Sequence, residues 1–396
     1  MGGVNNGLGN PPPGANLAAL RDHNAALVLG LLRDAGAAGA SRAELAARTG
    51  LTPQAVSKIC ARLRAAGLAA EAGRRASTGG KPATTWRLVP DAAHAIGLHL
   101  DRDALTATLV DLTGTPVATR TTPLAFGAGA KALLDAVATE VEALMASSDT
   151  PRARRPLLGV GVAVPGPLDH ASGVLHRVTG FPEWDGFPLR DALAERLGMP
   201  VVVDKDTNAA ALGLVLRGAG GGGPAADSFA YLHLGTGLGA GLVLGGGVHR
   251  GARTGAGEFG HQVLQLDGPP CPCGNRGCVE ALCLGAVAAG DTARAARLLG
   301  VGAANLVRLL DIDLVLLGGR TVLAEPEPYL RGVRAVLAED AARADGRTVP
   351  VAVTPGGGRT VVEGAAELAL APLFGRSGTA LTARSDETKI VTSGGM

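Results

Sequence analysis

Between Leu17 and Ala35 the apolar residues Leu20, Leu27, Leu31 and Leu32 recur at helical spacing and the stripe stops before Gly36, so the first predicted element is a helix. Ser41 opens a shorter helix over SRAELAARTG, where Glu44 completes a capping box and Gly50 closes the element. Thr52 opens a third helix, with Pro53 at its first position and Gly67 beyond its end. In that helix Val56, Ile59, Cys60 and Leu63 form one apolar stripe, which leaves Gln54, Ser57, Lys58 and Arg62 on the opposite face. Cys60 reads as a small core hydrophobe rather than a redox thiol. LAAEAGRRASTGGKPATTWRLVP then reads as two strands around a basic, Gly-rich tip.

Two helices joined by a short connection and followed by such a hairpin predict a winged helix-turn-helix. Gln pairs with adenine, Lys reaches guanine and Ser is adaptable, so the polar face beginning at Thr52 suits base edges in a major groove. Arg74, Arg75 and Lys81 on the wing suit phosphates or a minor groove. The alternative is a small helical bundle with a solvated polar face; the hairpin favours the first reading.

From Ala93 strands and helices alternate. AIGLHLDRDALTATLVDLTG predicts two strands with a turn at Asp101 to Asp103, then a strand near Val117 to Pro123, a helix over Lys131 to Met145 and a buried strand in LLGVGVAVPGPLD. A second block starts at Phe229 with YLHLGTGLGAGLVLGGGVHRG. Two strand-rich halves with helices predict α/β architecture with a cleft between two lobes. The expected organisation is a disordered tail over 1–18, a winged helix-turn-helix over 19–90, a two-lobed body over 91–375 and a flexible tail over 376–396.

Composition adds three points. A chain of 396 residues is comfortable for two or three domains. No run of about eighteen uninterrupted apolar residues occurs, so no membrane partner is expected. The N-terminus lacks the pattern of a secretory signal, so a cytoplasmic location is expected and the five cysteines should be reduced thiols or metal ligands. The net charge of +2 conceals an asymmetry: residues 1–90 hold eleven Lys or Arg against four Asp or Glu, and the remainder is mildly acidic. A basic head suits phosphate backbones.

GEFGHQVLQLDGPPCPCGNRGCVEAL carries the sharpest chemical signal. His261, Cys271, Cys273 and Cys278 make a full tetrahedral ligand set for structural zinc, with no position left open for catalysis. Disulfides are disfavoured by the compartment, and free thiols are the remaining alternative. Cys283 reads as a core residue.

The segment 19–90 resembles the winged helix of the repressor branch of the ROK family (repressors, open reading frames and kinases), and body and motifs together resemble that family across nearly the whole chain. The resemblance implies an actin-like ATPase fold, two Gly-rich phosphate loops, an Asp base, sugar-binding carboxylates and a zinc site. Gly235, Thr236, Gly237, Leu238 and Gly239 match the second phosphate loop, although Gly-rich β-turns are common. At the first loop, where family kinases carry Asp-x-Gly-Gly-Thr, the matching positions are His99, Asp101, Arg102 and Asp103. Two carboxylates in a phosphate cradle oppose ATP binding. VVVDKDTNAAALG matches the segment of the base and places Asp206 in that role, with a helix cap as its alternative. Glu258, His261 and Glu280 match groups that bind sugar hydroxyls, and paired carboxylates suit a polyol.

Three departures from the family stand out. Lys205 replaces a usual sugar-contacting Asn and admits a phosphorylated or acidic sugar; Gly180 also stands where Asn is common. After CVEALCLGAV a helical segment of several dozen residues is expected to be missing, and with it part of the cleft wall. LVLLGGR and VEGAAELAL still look like the family's adenosine-side strand, turn and final helix.

The expected function is that of a DNA-binding transcriptional regulator, a repressor, of carbohydrate metabolism. It would sense a sugar or sugar phosphate through an inactive kinase-like body and bind operator DNA as a homodimer or dimer of dimers. The alternative is an active ATP-dependent, glucokinase-like sugar kinase with an appended DNA-binding domain, which needs the first phosphate loop. A structural protein with vestigial domains would bind no sugar at all.

Overall fold

The computed structural model describes residues 17–75, 83–147, 156–178, 180–218, 226–343 and 346–376. The tail expectations for 1–16 and 377–396, and the wing residue Lys81, lie outside the described residues, as do the side chains of Arg74 and Arg75.

The head is built from α1 (Leu17–Ala35), β1 (Ala40–Ser41), α2 (Arg42–Thr49), α3 (Pro53–Ala65), β2 (Ala69–Arg75) and β3 (Ala83–Leu88). The capping box is present: Ser41 and Glu44 exchange side-chain and backbone hydrogen bonds at 3.2 and 2.7 Å, satisfying two otherwise orphaned amides. Gly50 ends α2 in the left-handed conformation. Thr52 accepts from the Ala55 amide at 3.2 Å and so starts α3. Val56, Cys60 and Leu63 are buried, with Ile59 packed beside them. β2 and β3 pair antiparallel, and β1 closes a sheet of order β1-β3-β2.

The first lobe contains β4 (His94–Leu100), β5 (Ala104–Asp111), β6 (Pro116–Pro123), α4 (Ala130–Ala146), β7 (Leu157–Val164), β8 (Leu168–Asp169), β9 (Val174–Leu175), α5 (Leu189–Leu197) and β10 (Val201–Lys205). The chain then enters α6 (Asp206–Gly218) and the second lobe, made of β11 (Phe229–Leu234), β12 (Leu238–Leu244), β13 (Gly247–Val248), α7 (Val279–Ala288), α8 (Thr292–Leu310), β14 (Leu314–Gly318), α9 (Arg320–Ala324), α10 (Pro326–Arg343) and β15 (Val351–Val353). The final helix is α11 (Thr360–Leu370).

The two large sheets share one plan. Their orders are β10-β7-β4-β5-β6 and β13-β12-β11-β14-β15. In each, three antiparallel strands in succession are followed by two strands parallel to the first. The expected pair of similar halves is therefore realised as a duplicated topology. β4 and β7 are covered on both faces and so read as continuous apolar runs rather than alternating ones.

α6 and α11 lie between the lobes. Glycines let α11 approach the first sheet closely: a Cβ on Gly97 would fall 2.2 Å from the Val362 carbonyl oxygen, and one on Gly161 only 1.8 Å from that of Ala365. The head is not a bead on a linker. Its core residues Val28, Leu32, Leu45 and Cys60 belong to one apolar cluster with Ala95 and Val110 of the first lobe and Leu370 and Phe374 at the C-terminal end. Leu17 and Ala18 already belong to α1, and Arg376 is held by Asp34 at 2.5 Å.

Candidate functional site

A cleft with an empty volume of about 610 Å³, its open mouth included, lies between the lobes. The first lobe contributes Asp101 and Arg102 from the β4–β5 turn, Lys205 from the end of β10 and Asp206 from the start of α6. The second contributes Thr236 and Gly237 from the β11–β12 turn and Gly239 from the start of β12, with Glu258, His261 and Glu280 beyond it. The expected sugar and phosphate-loop residues thus converge on one place, with Gly235 in the same turn.

Several of these groups already have partners. Lys205, with 4% of its side chain exposed, donates to Glu258 at 2.9 Å and to the carbonyl of Ala256 at 2.6 Å. An unpaired ammonium at that depth would be strongly disfavoured, and Glu258 neutralises it. The residue whose positive charge suggested an anionic ligand is therefore matched from within the chain. Beneath it Asp204 is buried and accepts from Arg250 at 2.7 Å, from the Asn208 amide at 2.9 Å and from the Lys205 N–H at 2.8 Å. Asp206 is the first residue of α6, lines the cleft and accepts from the N–H of its neighbour Thr207 at 2.6 Å, one residue on rather than the two or three of a helix cap. Glu280 accepts from the Leu238 N–H at 2.8 Å.

The first phosphate-loop positions face the second. Thr236 donates to Asp101 at 2.9 Å, and Arg320 pairs with the exposed Asp103 at 2.8 Å. Burial pushes the Asp101 carboxyl up, but His99, the Arg102 N–H, Thr236 and His233 together hold it below its ordinary value, as an anion. Burial pushes the His99 imidazole down, against the pull of Asp206 and Asp101. Tyr231 bonds His233 at 2.9 Å, and burial with Asp206 nearby pushes its phenol up. Lobe-to-lobe contact continues at Thr254, a buried β-branched residue at φ 58°, whose hydroxyl meets the His170 ring at 2.8 Å. Strain of this kind persists only where surrounding contacts over-determine it. Gly180 has φ +87°, in the left-handed region that Asn also tolerates.

Ligand atoms of His261, Cys271, Cys273 and Cys278 all lie within 4.8 Å of one another and could hold a metal ion. The Cys271–His261 and Cys273–Cys278 separations are both 3.7 Å. A tetrahedron with bonds of about 2.3 Å has edges of about 3.8 Å, so these two separations and the donor chemistry are compatible with zinc. Cys283 lies apart on α7, buried, with its thiol pushed up to about 12 by burial and then by Glu280.

On the head, Gln54, Lys58 and Arg62 are exposed along α3 and Ser57 is half-buried; Thr52 uses its hydroxyl as the cap. Arg64 pairs with Glu71 of β2, and Arg42 lies 5.6 Å above the Trp86 ring.

Sequence reasoning missed the pairs that tie the lobes together. Lys205–Glu258, Asp204–Arg250, Asp101–Thr236 and Asp103–Arg320 join residues 46 to 217 positions apart and leave no periodic trace. No helix among the described residues is long and apolar enough to cross a membrane.

Residues 95–289 match the ROK family and residues 22–76 the MarR family. The xylose repressor of Bacillus subtilis is 28% identical over 61% of this chain and 60% of its own length. The DNA-binding transcriptional dual regulator NagC of Escherichia coli is 32% identical over 67% and 64%. The glucokinase of Thermotoga maritima is 43% identical over 31% and 38%. The chain thus spans less than two thirds of the length of these curated relatives. Among solved structures, a ROK hexokinase from Thermus thermophilus aligns at 30% identity over 69% of this chain and 96% of its own, with a TM-score of 0.55. A ROK family transcriptional regulator, a homolog of the E. coli MLC protein, shares the fold over 91% of this chain and 98% of its own, with a TM-score of 0.70 at 20% identity.

Proposed function

The chain belongs to the ROK family, and from that premise we propose that it is a sugar-responsive DNA-binding transcriptional regulator, a repressor, rather than a sugar kinase. The observation that carries the reading is the exposed row of Gln54, Lys58 and Arg62 on α3, in a MarR-like head whose core is continuous with the body. The names of the xylose repressor and NagC agree with it.

Asp206, Glu258, His261 and Glu280 support a polyol ligand in the cleft. The Lys205–Glu258 pair offers a hydroxyl both a donor and an acceptor, which favours a neutral sugar over an anionic one. Asp101, held as an anion and bonded across to Thr236, opposes a nucleotide phosphate between the two turns, so Asp206 is a sugar contact without a reaction to catalyse. The glucokinase and hexokinase likenesses favour the kinase alternative; the changed first loop weighs against it.

Structural zinc on His261, Cys271, Cys273 and Cys278 would fix the loop that carries His261 towards the cleft and sets Glu280 just past its end. Two copies on paired half-sites would account for repression, with the effector altering the bearing of the two heads. Operator binding implies a cytoplasmic location.

Selection of duplexes from a random-sequence pool tests DNA binding, and a thermal-shift screen against neutral, amino and phosphorylated sugars tests the cleft. No enriched duplex, or efficient phosphorylation of a hexose by ATP, contradicts the regulator reading.

A further inference from the structure

α6 begins in the cleft at Asp206 and carries Arg217 in its last turn. Arg217 meets Glu363 of α11, and between these ends the helices touch backbone to backbone. A Cβ on Gly364 would lie 2.0 Å from the Ala209 carbonyl oxygen, and one on Gly213 would lie 2.7 Å from the Gly364 Cα. Helices in such contact move together, because close-packed interiors repack in discrete steps rather than deform.

One turn along α11 from Glu363, Glu367 faces α1. Its carboxylate accepts from both terminal nitrogens of Arg33, and the two side chains are only 1% and 6% exposed. Arg33 also donates to the Thr113 carbonyl at 2.8 Å and lies 4.8 Å over the Phe374 ring. A Cβ at Gly114, where φ is +82°, would fall 2.5 Å from the Glu367 carboxylate, so the turn after β5 must be glycine to admit the pair. α1 in turn shares a core with Leu45 of α2 and with Val56, Cys60 and Leu63 of α3.

A buried ion pair is a poor source of net stability, since desolvation offsets its attraction. A bidentate fork does supply direction, because guanidinium and carboxylate planes must face each other. Apolar packing alone would hold α1 against α11 and still let it roll. We propose that the Arg33–Glu367 pair is the positioning joint through which the cleft sets the bearing of the DNA-binding face. The proposal rests on the regulator reading above, and its cleft end is the Lys205–Glu258 latch between the lobes.

Demonstrated coupling, rather than spatial intermediacy, is what tests such a route. The probe is the duplex that the full chain enriches from a random-sequence pool. Lys205→Met removes the ammonium with little change in volume and releases Glu258, already 40% exposed, to solvent. In the otherwise unaltered chain it should shift the duplex Kd by about tenfold, within the range usual for coupled sites. In the Arg33→Met, Glu367→Met background, measured against that background's own duplex Kd, the Lys205→Met shift should fall below about twofold, the non-additivity of coupled residues. An equal shift in both backgrounds, or none in either, overturns the joint while leaving the regulator reading intact. If the apolar double variant does not melt cooperatively, Arg33→Lys, which keeps the charge but not the fork, carries the same comparison. A pool that enriches no duplex overturns the regulator reading and this joint with it.

Discussion

The hydroxyl of Thr236 donates a hydrogen bond to the carboxylate of Asp101 at 2.9 Å, joining the two turns that the ROK resemblance assigns to nucleotide phosphates. The space between them is bridged by this bond, with Asp101 held as an anion where a phosphate would have to lie. Isothermal titration with Mg-ATP should accordingly give no measurable heat, and a coupled ADP assay over a hexose panel should stay at background. Saturable nucleotide binding would show that the turns open and would return the kinase alternative to first place.

Lys58→Ala and Arg62→Ala should each weaken binding to the selected duplex by ~1–3 kcal/mol. Their melting temperatures should stay near that of the parent, because both side chains are exposed on α3. A gel-shift titration that neither variant alters would mean that another face of the head meets DNA.

The purified protein should contain about one zinc per chain by elemental analysis. Chelation should lower the melting temperature and weaken whichever sugar gives the largest thermal shift, because His261 is both a ligand candidate and a cleft residue. Cys273→Ser should do the same, whereas Cys283→Ala should leave metal content unchanged. Full metal loading of the Cys273 variant would remove that thiol from the ligand set.

Stability should fall as the solution becomes acidic. Burial lowers the His99 pKa in the folded chain, with Asp206 and Asp101 pulling it back and His233 pushing it further down. The folded value lies below the unfolded one of about 6.5, so the unfolded chain takes the proton first. The contribution of neutral His99 is complete above that pH and is lost as pH falls through the folded value. His170 is lowered by burial in the same direction. Melting temperature, followed from about pH 7.5 down to about 5.5 at constant added zinc, should drop, and His99→Gln should flatten the drop. An identical slope in the variant would assign the acid sensitivity elsewhere.

Gly364→Ala should destabilise the chain by about 3 kcal/mol, because the added methyl has no room beside Ala209 and overpacking forces backbone shifts. Urea unfolding measures the effect; a change under about 0.5 kcal/mol would show that α6 and α11 can separate.

Much of this architecture is legible in the order of the residues alone. The caps at Ser41 and Thr52, the stripe from Val56 to Leu63 and the strand at Leu157–Val164 are set by residues a few positions apart, and each appears where the pattern puts it. The metal cluster is legible for the same reason, since its donors fall within His261–Cys278. The cleft residues are identifiable only one by one. Lys205 stands out by its type, yet nothing near it signals that Glu258, 53 residues on, cancels its charge.

The sequence by itself determined the elements, the head and body as separate patterns, and the cluster of candidate metal donors, because helix and strand periods, caps and ligand spacings are local properties. The tertiary structure decided that head and body share one core, that Thr236 meets Asp101, and that Arg33 meets Glu367 across 334 residues. Such pairings depend on how whole sheets and helices close-pack, and a buried charge finds its partner only once packing has removed the water that would otherwise have served.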